Sequence, residues 1–214
     1  MDLLERIEVR RFVGREFLVW LWFESELFEG TLSTATHGEF GLWIEGTFVL
    51  SAGKEITRIR GSQPASRREA KESMLRGKWP ESAGLHLHWQ GQDASFSIKA
   101  ETLGVSALKP PTVLDADDEE DLEAAPRAPR RKTPKPDAQD TQVLALTDRM
   151  QSAATFEGLL EALYRDFLQL RLSEGWDEWL LPAINTWLRG EPVRLEPYAK
   201  RRTTALRGSV KKKR

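Results

Sequence analysis

Cysteine is missing from all 214 residues. That excludes a disulfide framework, a thiolate metal site and a cysteine nucleophile, and it fits a reducing compartment. Long hydrophobic runs are missing too. The longest uncharged apolar stretch, Phe17 to Phe23, is seven residues, whereas a membrane span needs about 20. The opening Met1-Asp2-Leu3-Leu4-Glu5 lacks the basic-then-apolar order of a secretory signal. Neither a GxGxxG nor a GxxxxGKS/T phosphate loop is present, nor a GxSxG elbow or an HExxH helix. Carboxylate pairs such as Asp117 and Asp118 fall in an acidic run with no frame to hold them for acid–base work. These absences favour a non-enzymatic, cytoplasmic protein without cofactor, metal or membrane partner.

Charge is plentiful, at 30% of residues, and segregated behind a net value of −1. Residues 1–114 hold 14 bases and 15 acids; residues 115–123 hold seven acids and no base; residues 124–136 hold five bases and no acid. Residues 137–198 carry 11 acids against five bases, and residues 199–214 carry eight bases and no acid. Local charge is therefore more informative than the overall balance.

The pattern divides the chain into an α+β domain over 1–114, a disordered acidic–basic linker over 115–140, a helical segment over 141–198 and a disordered basic tail over 199–214. In the first part, Gly14–Phe28 is compatible with a helix; Phe17–Phe23 within it is apolar all round, as in a helix buried on most sides or a buried strand, and the helix is the preferred reading. Residues 40–50 read as two short strands about a turn or bulge at Glu45-Gly46, and 56–60 as a strand with Arg58 and Arg60 on one face. Gly61 to Pro64 is a turn. Ser66 with Glu69 matches a capping box for a short helix ending near Gly77. Leu85, Leu87 and Trp89 alternate with His86 and His88, and Ala94, Phe96 and Ile98 continue the alternation across a tight hairpin. The expected fold is a small antiparallel sheet packed with helices. Further on, Phe156 to Leu168 repeat at helical spacing with Thr155 as a candidate cap. Pro182 starts or kinks a second segment, and Gly190-Glu191-Pro192 stops it.

Three groups of residues are candidates for function. Between Lys54 and Lys78 lie eight bases and three acids; Arg58, Arg60, Arg67, Arg68, Lys71 and Lys78 would form a cationic track for a phosphate backbone, with Gln63 contributing from the turn. Arg201, Arg202, Lys211, Lys212 and Lys213 of the tail would attract any polyanion. Phe167, Trp176, Trp179 and Trp187 would form an amphipathic face that packs internally or meets a partner helix or a second copy in a homodimer. The other tryptophans in apolar patterns, Trp20, Trp22, Trp43 and Trp89, are expected in the core. His86 and His88 share a strand face at zinc-ligand spacing, but with no third ligand nearby they read as a solvent-facing polar side.

The succession Ile59-Arg60-Gly61-Ser62-Gln63, Ser66 to Glu72, Gly77-Lys78, Leu85 to Gln90, Phe96-Ser97-Ile98 and Leu108-Lys109 resembles the later half of RdgC, the bacterial recombination-associated protein family. The opening Gly14-Arg15-Glu16-Phe17-Leu18-Val19-Trp20 is similar as well. The resemblance covers residues 12–112, with a helical echo at 143–188; the family's N-terminal half has no counterpart. It implies a nucleoid protein that binds double-stranded DNA with little sequence preference, dimerises and modulates recombination through RecA filaments. Gln63, Arg58 and Arg60 would face the DNA. Position 62, often basic in the family, is serine here.

Overall fold

The computed structural model describes residues 3–62, 68–109 and 138–211. Helix α1 (Leu3–Leu27) contains the apolar stretch seen in the sequence, and all seven residues from Phe17 to Phe23 are buried. No single packing partner can cover a helix around its whole circumference. Here a sheet covers one side and the C-terminal helices cover the other, so α1 is the middle layer. The helix ends in a Schellman turn: Gly30 N–H reaches Ser25 O at 2.7 Å and Glu29 N–H reaches Glu26 O, with Glu29 and Gly30 both at positive φ.

Six antiparallel strands follow: β1 (Thr31–Thr34), β2 (Gly38–Ala52), β3 (Glu55–Gly61), β4 (Trp79–Trp89), β5 (Gln92–Lys99) and β6 (Val105–Lys109). The order is β1-β2-β4-β5-β6, and β3 joins β2 along the flank that β1 uses at its other end. The two strands expected over 40–50 are one. At Glu45-Gly46-Thr47 the β2 backbone bulges, because Ile44 pairs with Leu85 and Phe48 with Ala83, leaving Gly84 opposite three residues. A Cβ on Gly84 would collide with the Glu45 carbonyl, so the bulge needs glycine there. The β4–β5 hairpin turns at Gln90-Gly91, both at positive φ. The inward side chains Leu42, Ile44, Phe48, Leu50, Leu85, Leu87, Ala94, Phe96 and Ile98 are buried.

Helix α2 (Arg68–Leu75) ends in another Schellman turn at Gly77. Ser66 of the expected capping box lies outside the described residues. Helix α3 (Ala138–Arg171) already begins inside the expected linker, whose residues 115–137 are not described. It runs through Thr155 without a break, and that hydroxyl donates back to Gln151 O at 3.0 Å, so Thr155 is an interior residue and not a cap. A π-helical turn (Trp176–Leu180) leads into α4 (Leu181–Leu188), with Pro182 in its first turn, and Gly190 closes it. Of the tail expected to be disordered over 199–214, residues 199–211 belong to helix α5 (Leu195–Lys211), and 212–214 lie outside the described residues.

The helical segment 141–198 does not stand apart from the first domain. Phe156, Leu159, Leu163, Phe167, Trp176, Leu180, Ile184, Trp187 and Tyr198 join Phe17–Phe23 and the inner sheet face in one apolar core. Carboxylates of α1 fasten the layers. Glu26 accepts from the indoles of Trp22 (2.8 Å) and Trp187 (2.7 Å) and pairs with Lys71 Nζ at 2.7 Å, tying α2 and α4 to α1. Glu24, wholly buried, accepts from the Tyr198 hydroxyl and pairs with Arg202 Nε at 2.8 Å, tying down α5. At the other end of α1, Glu81 of β4 receives Arg11, Arg15 and Ser51. Burial pushes the Glu81 carboxyl up, but these donors outweigh it and hold its pKa below the ordinary glutamate range. No helix among the described residues is long and apolar enough to cross a membrane.

Candidate functional site

Two cations of the expected track, Lys71 and Lys78, and one of the tail, Arg202, are already engaged inside the fold. Lys71 is 18% exposed in its side chain; besides its pair with Glu26, its ammonium lies 4.3 Å over the Trp187 ring. Lys78, also 18% exposed, bonds Thr57 Oγ1 at 3.0 Å and pairs with Glu55 at 3.3 Å. Arg202 is 7% exposed and belongs to the core through Glu24. These three are structural cations. Charge counting alone misplaced them: Lys71 and Arg202 answer the half-buried Glu26 and the buried Glu24, and Lys78 is held in place by Thr57 and the exposed Glu55. Arg68 is exposed and pairs along its own helix with Glu72 at 2.7 Å. Arg201 is exposed on α5, and Lys211 is the last residue of that helix. Gln63, Arg67, Lys212 and Lys213 lie outside the described residues.

The partner face is likewise consumed. Phe167 and Trp176 are buried against each other and Phe17, and Trp187 packs edge-on to Trp22 and Phe23. Trp179, half-buried, meets Tyr198. The amphipathic face therefore closes the protein's own core and is not free for a partner helix or a second copy.

Arg58 and Arg60 remain. Ile59 between them is buried, so both point away from the helices, as the alternation predicts. Neither has a carboxylate partner among the described residues. Strand register extends their positions across the sheet. Arg58 pairs with Val49, Val49 with Ser82, and Ser82 with Lys99. This rung crosses three strand gaps, about 14 Å, with an exposed cation at each end. In the next rung Arg60 faces Thr47, and beyond the bulge Ser97 faces Ser106. This half of the outer face therefore carries arginine, lysine and hydroxyl groups beside the aliphatic Val49 and Ile56.

The other half of the face carries Trp43, His86, His88 and Asp93. His88 Nδ1 lies 2.9 Å from Asp93 Oδ1, and His86 lies 3.1 Å from Ser95 Oγ and 3.2 Å from Asp93. The His88 hydrogen bond lowers the Asp93 pKa. Glu45 lies 3.6 Å from His86. The acids of this half thus have histidine neighbours and leave the arginines alone. Among the described residues no group of three or more His, Asp or Glu is placed to hold a metal.

Trp43 corrects a sequence expectation. It is not in the core but 36% exposed on the outer face. The signal was available: Phe40, Leu42 and Ile44 alternate inward, and Trp43 has the opposite parity. Lys99, remote in sequence from the basic cluster, could be found only through strand register.

In comparisons with known proteins the chain matches no family model and no curated protein.

Proposed function

We propose that the chain binds nucleic acid through the outer face of its sheet, by contacts to the sugar–phosphate backbone without reading base edges, in a non-catalytic role. What supports this is the pair Arg58 and Arg60, aligned on one strand face with no carboxylate to neutralise them among the described residues, and with Lys99 at the far end of the Arg58 rung. In so charged a chain, cations left without an acid are the ones available to an external anion. Guanidinium groups suit phosphate by geometry, and surrounding hydroxyls add neutral donors. The reading agrees with what the RdgC resemblance implies, including a place at the nucleoid, a duplex DNA partner and a link to recombination; those finer points are part of the proposal.

The test is an anisotropy titration of a labelled duplex against the full chain at about 50 and 200 mM salt. Each phosphate contact adds about 0.9 to the slope of log affinity against log salt. Arg58→Ala/Arg60→Ala should weaken binding and reduce that slope by about 2. Lys78→Ala, which removes an internal cation, should leave the slope unchanged. A double variant with an unaltered slope would dispose of the reading, and a duplex that is not retained at low salt would remove duplex DNA as the partner.

A further inference from the structure

The indole of Trp43 rests on a seat made by two glycines. A Cβ on Gly41, two residues earlier in β2, would come within 3 Å of the six-membered ring. A Cβ on Gly30, in the turn before β1, would come within 3 Å of the pyrrole ring. The backbones of the two sites are joined, because Leu42 N–H bonds Gly30 O at 2.7 Å. The two ends of the indole therefore lie over residues without side chains, and the ring is spread along the sheet surface. The ring is held against backbone at both ends and is still 36% exposed. His86, directly opposite in register, places its ring centroid 5.8 Å away and borders the seat.

A tryptophan that only filled space would be buried. Gly30 is already required by its turn, at positive φ, but Gly41 has ordinary strand φ, so the ring above it is what its missing Cβ accommodates. A flat, exposed indole offers a π-face. The same sheet surface offers unpaired guanidinium groups: Trp43 lies four residues along β2 from Thr47, the partner of Arg60, on the order of 10–13 Å. That is within the span of two or three nucleotides of an extended strand. A ring face and phosphate-binding cations at such a separation suit a ligand that has both planar rings and charges along its length. Bases in a duplex stack on each other and present only edges; unpaired bases have faces to give.

We infer that Trp43, seated on Gly41 and Gly30, is a stacking platform for an unpaired base, so that the outer sheet face takes single-stranded nucleic acid in preference to duplex. This rests on the nucleic-acid reading above and adds which form is bound. Arg58 and Arg60 hold the backbone in either form. Trp43 contributes only when a base is free to lie on it, and one such stack is worth roughly 5- to 150-fold in affinity. Gly41 is thereby a positioning residue. It is a strand residue without positive φ, so an added methyl displaces the ring without straining the backbone.

The experiment compares the full chain with Trp43→Ala, Gly41→Ala and Trp43→Phe by anisotropy, on a labelled 20-nucleotide oligothymidine and a duplex of the same length; thermal melts confirm that each variant folds. Trp43→Ala and Gly41→Ala should each weaken single-strand binding by about 5-fold or more and change duplex binding by less than about 2-fold. Trp43→Phe should recover part of the loss. Gly41→Ala separates the seat from the ring, since it keeps the tryptophan. If neither nucleic acid binds the unaltered chain, the nucleic-acid reading fails and this inference with it. If the duplex binds through Arg58 and Arg60 while the Trp43 and Gly41 variants hold single strands as before, this inference alone is overturned. Binding of a maltohexaose probe that requires Trp43, without any single-strand preference, would also overturn it by assigning the platform to a sugar ring.

Discussion

Removing the acid from the Glu24–Arg202 pair should loosen the attachment of α5 to the rest of the protein. Glu24 has no exposed surface, Arg202 is almost as buried, and Nη2 of that arginine has no hydrogen-bond partner among the described residues. The guanidinium therefore depends on the single carboxylate 2.8 Å from its Nε. Glu24→Gln keeps the volume and an acceptor for Tyr198 but strands a buried positive charge, a change that costs about 3–5 kcal/mol. Asp166, half-buried and acting on the same arginine, offsets part of this, so we expect the lower end, about 3 kcal/mol. That is a large share of the roughly 5–15 kcal/mol that stabilises a typical domain and corresponds to about 6–12 °C in Tm. Arg202→Met leaves the acid instead. Burial raises the Glu24 pKa even with Arg202 present, and without that cation the carboxyl stays protonated in the folded state to still higher pH. A raised folded pKa means stability that is present below the ordinary glutamate value of about 4.3 and lost as pH rises through the folded one. Arg202→Met should accordingly look mild at pH 5 and worsen toward pH 8, by up to about 1.4 kcal/mol per pH unit. Urea unfolding followed by tryptophan fluorescence measures all of this, and the double variant completes the cycle. Single variants costing under about 1 kcal/mol, with additive effects in the double, would refute the idea that this pair secures the helix.

Other outcomes follow from neighbouring features. Glu81, whose pKa is held below the ordinary range, contributes stability that is present above its unfolded value and lost as pH falls through the folded one; Glu81→Gln should flatten the acid limb of the unfolding profile between about pH 5 and 3. Phe167→Ala, at the fully buried junction of α3, α1 and the π-helical turn, should cost about 3–5 kcal/mol in urea melts; a loss under about 1 kcal/mol would mean that the C-terminal helices pack elsewhere. Thr155→Ala should stabilise slightly, by a few tenths of a kcal/mol, as expected for an interior helix position. A cap at that residue would give a loss of about 1 kcal/mol instead.

Much of the architecture was readable from local pattern. The all-round apolar Phe17–Phe23 stretch showed an element buried on most sides, with helix preferred over strand, and the alternation in β4 and β5 gave their hairpin and inward faces correctly, because both signals depend on a few adjacent residues. The site was only half readable. Arg58 and Arg60 followed from parity within one short strand. Lys71, Lys78 and Arg202 look the same as they do in any charge count, and only the fold reveals that Glu26, Glu55 and Glu24 answer them. Those partners lie 23 to 178 residues away in sequence, beyond the range of helical or strand spacing. The bulge at Glu45-Gly46-Thr47 was likewise ambiguous locally, since a turn and a bulge use the same residue types, and pairing with Gly84 made the choice.

Covering α1 on every side has a consequence for the order in which this protein can be made. The sheet and α1 leave the ribosome first, yet half the circumference of α1, including the carboxylate of Glu24, finds its cover only in residues of the C-terminal helices. Until α3, α4 and α5 have emerged, the nascent chain presents bare aromatic rings and the unanswered acid of Glu24 at its centre. A fragment ending at residue 114 would keep that predicament permanently and should aggregate, whereas the complete chain resolves it in a late docking step.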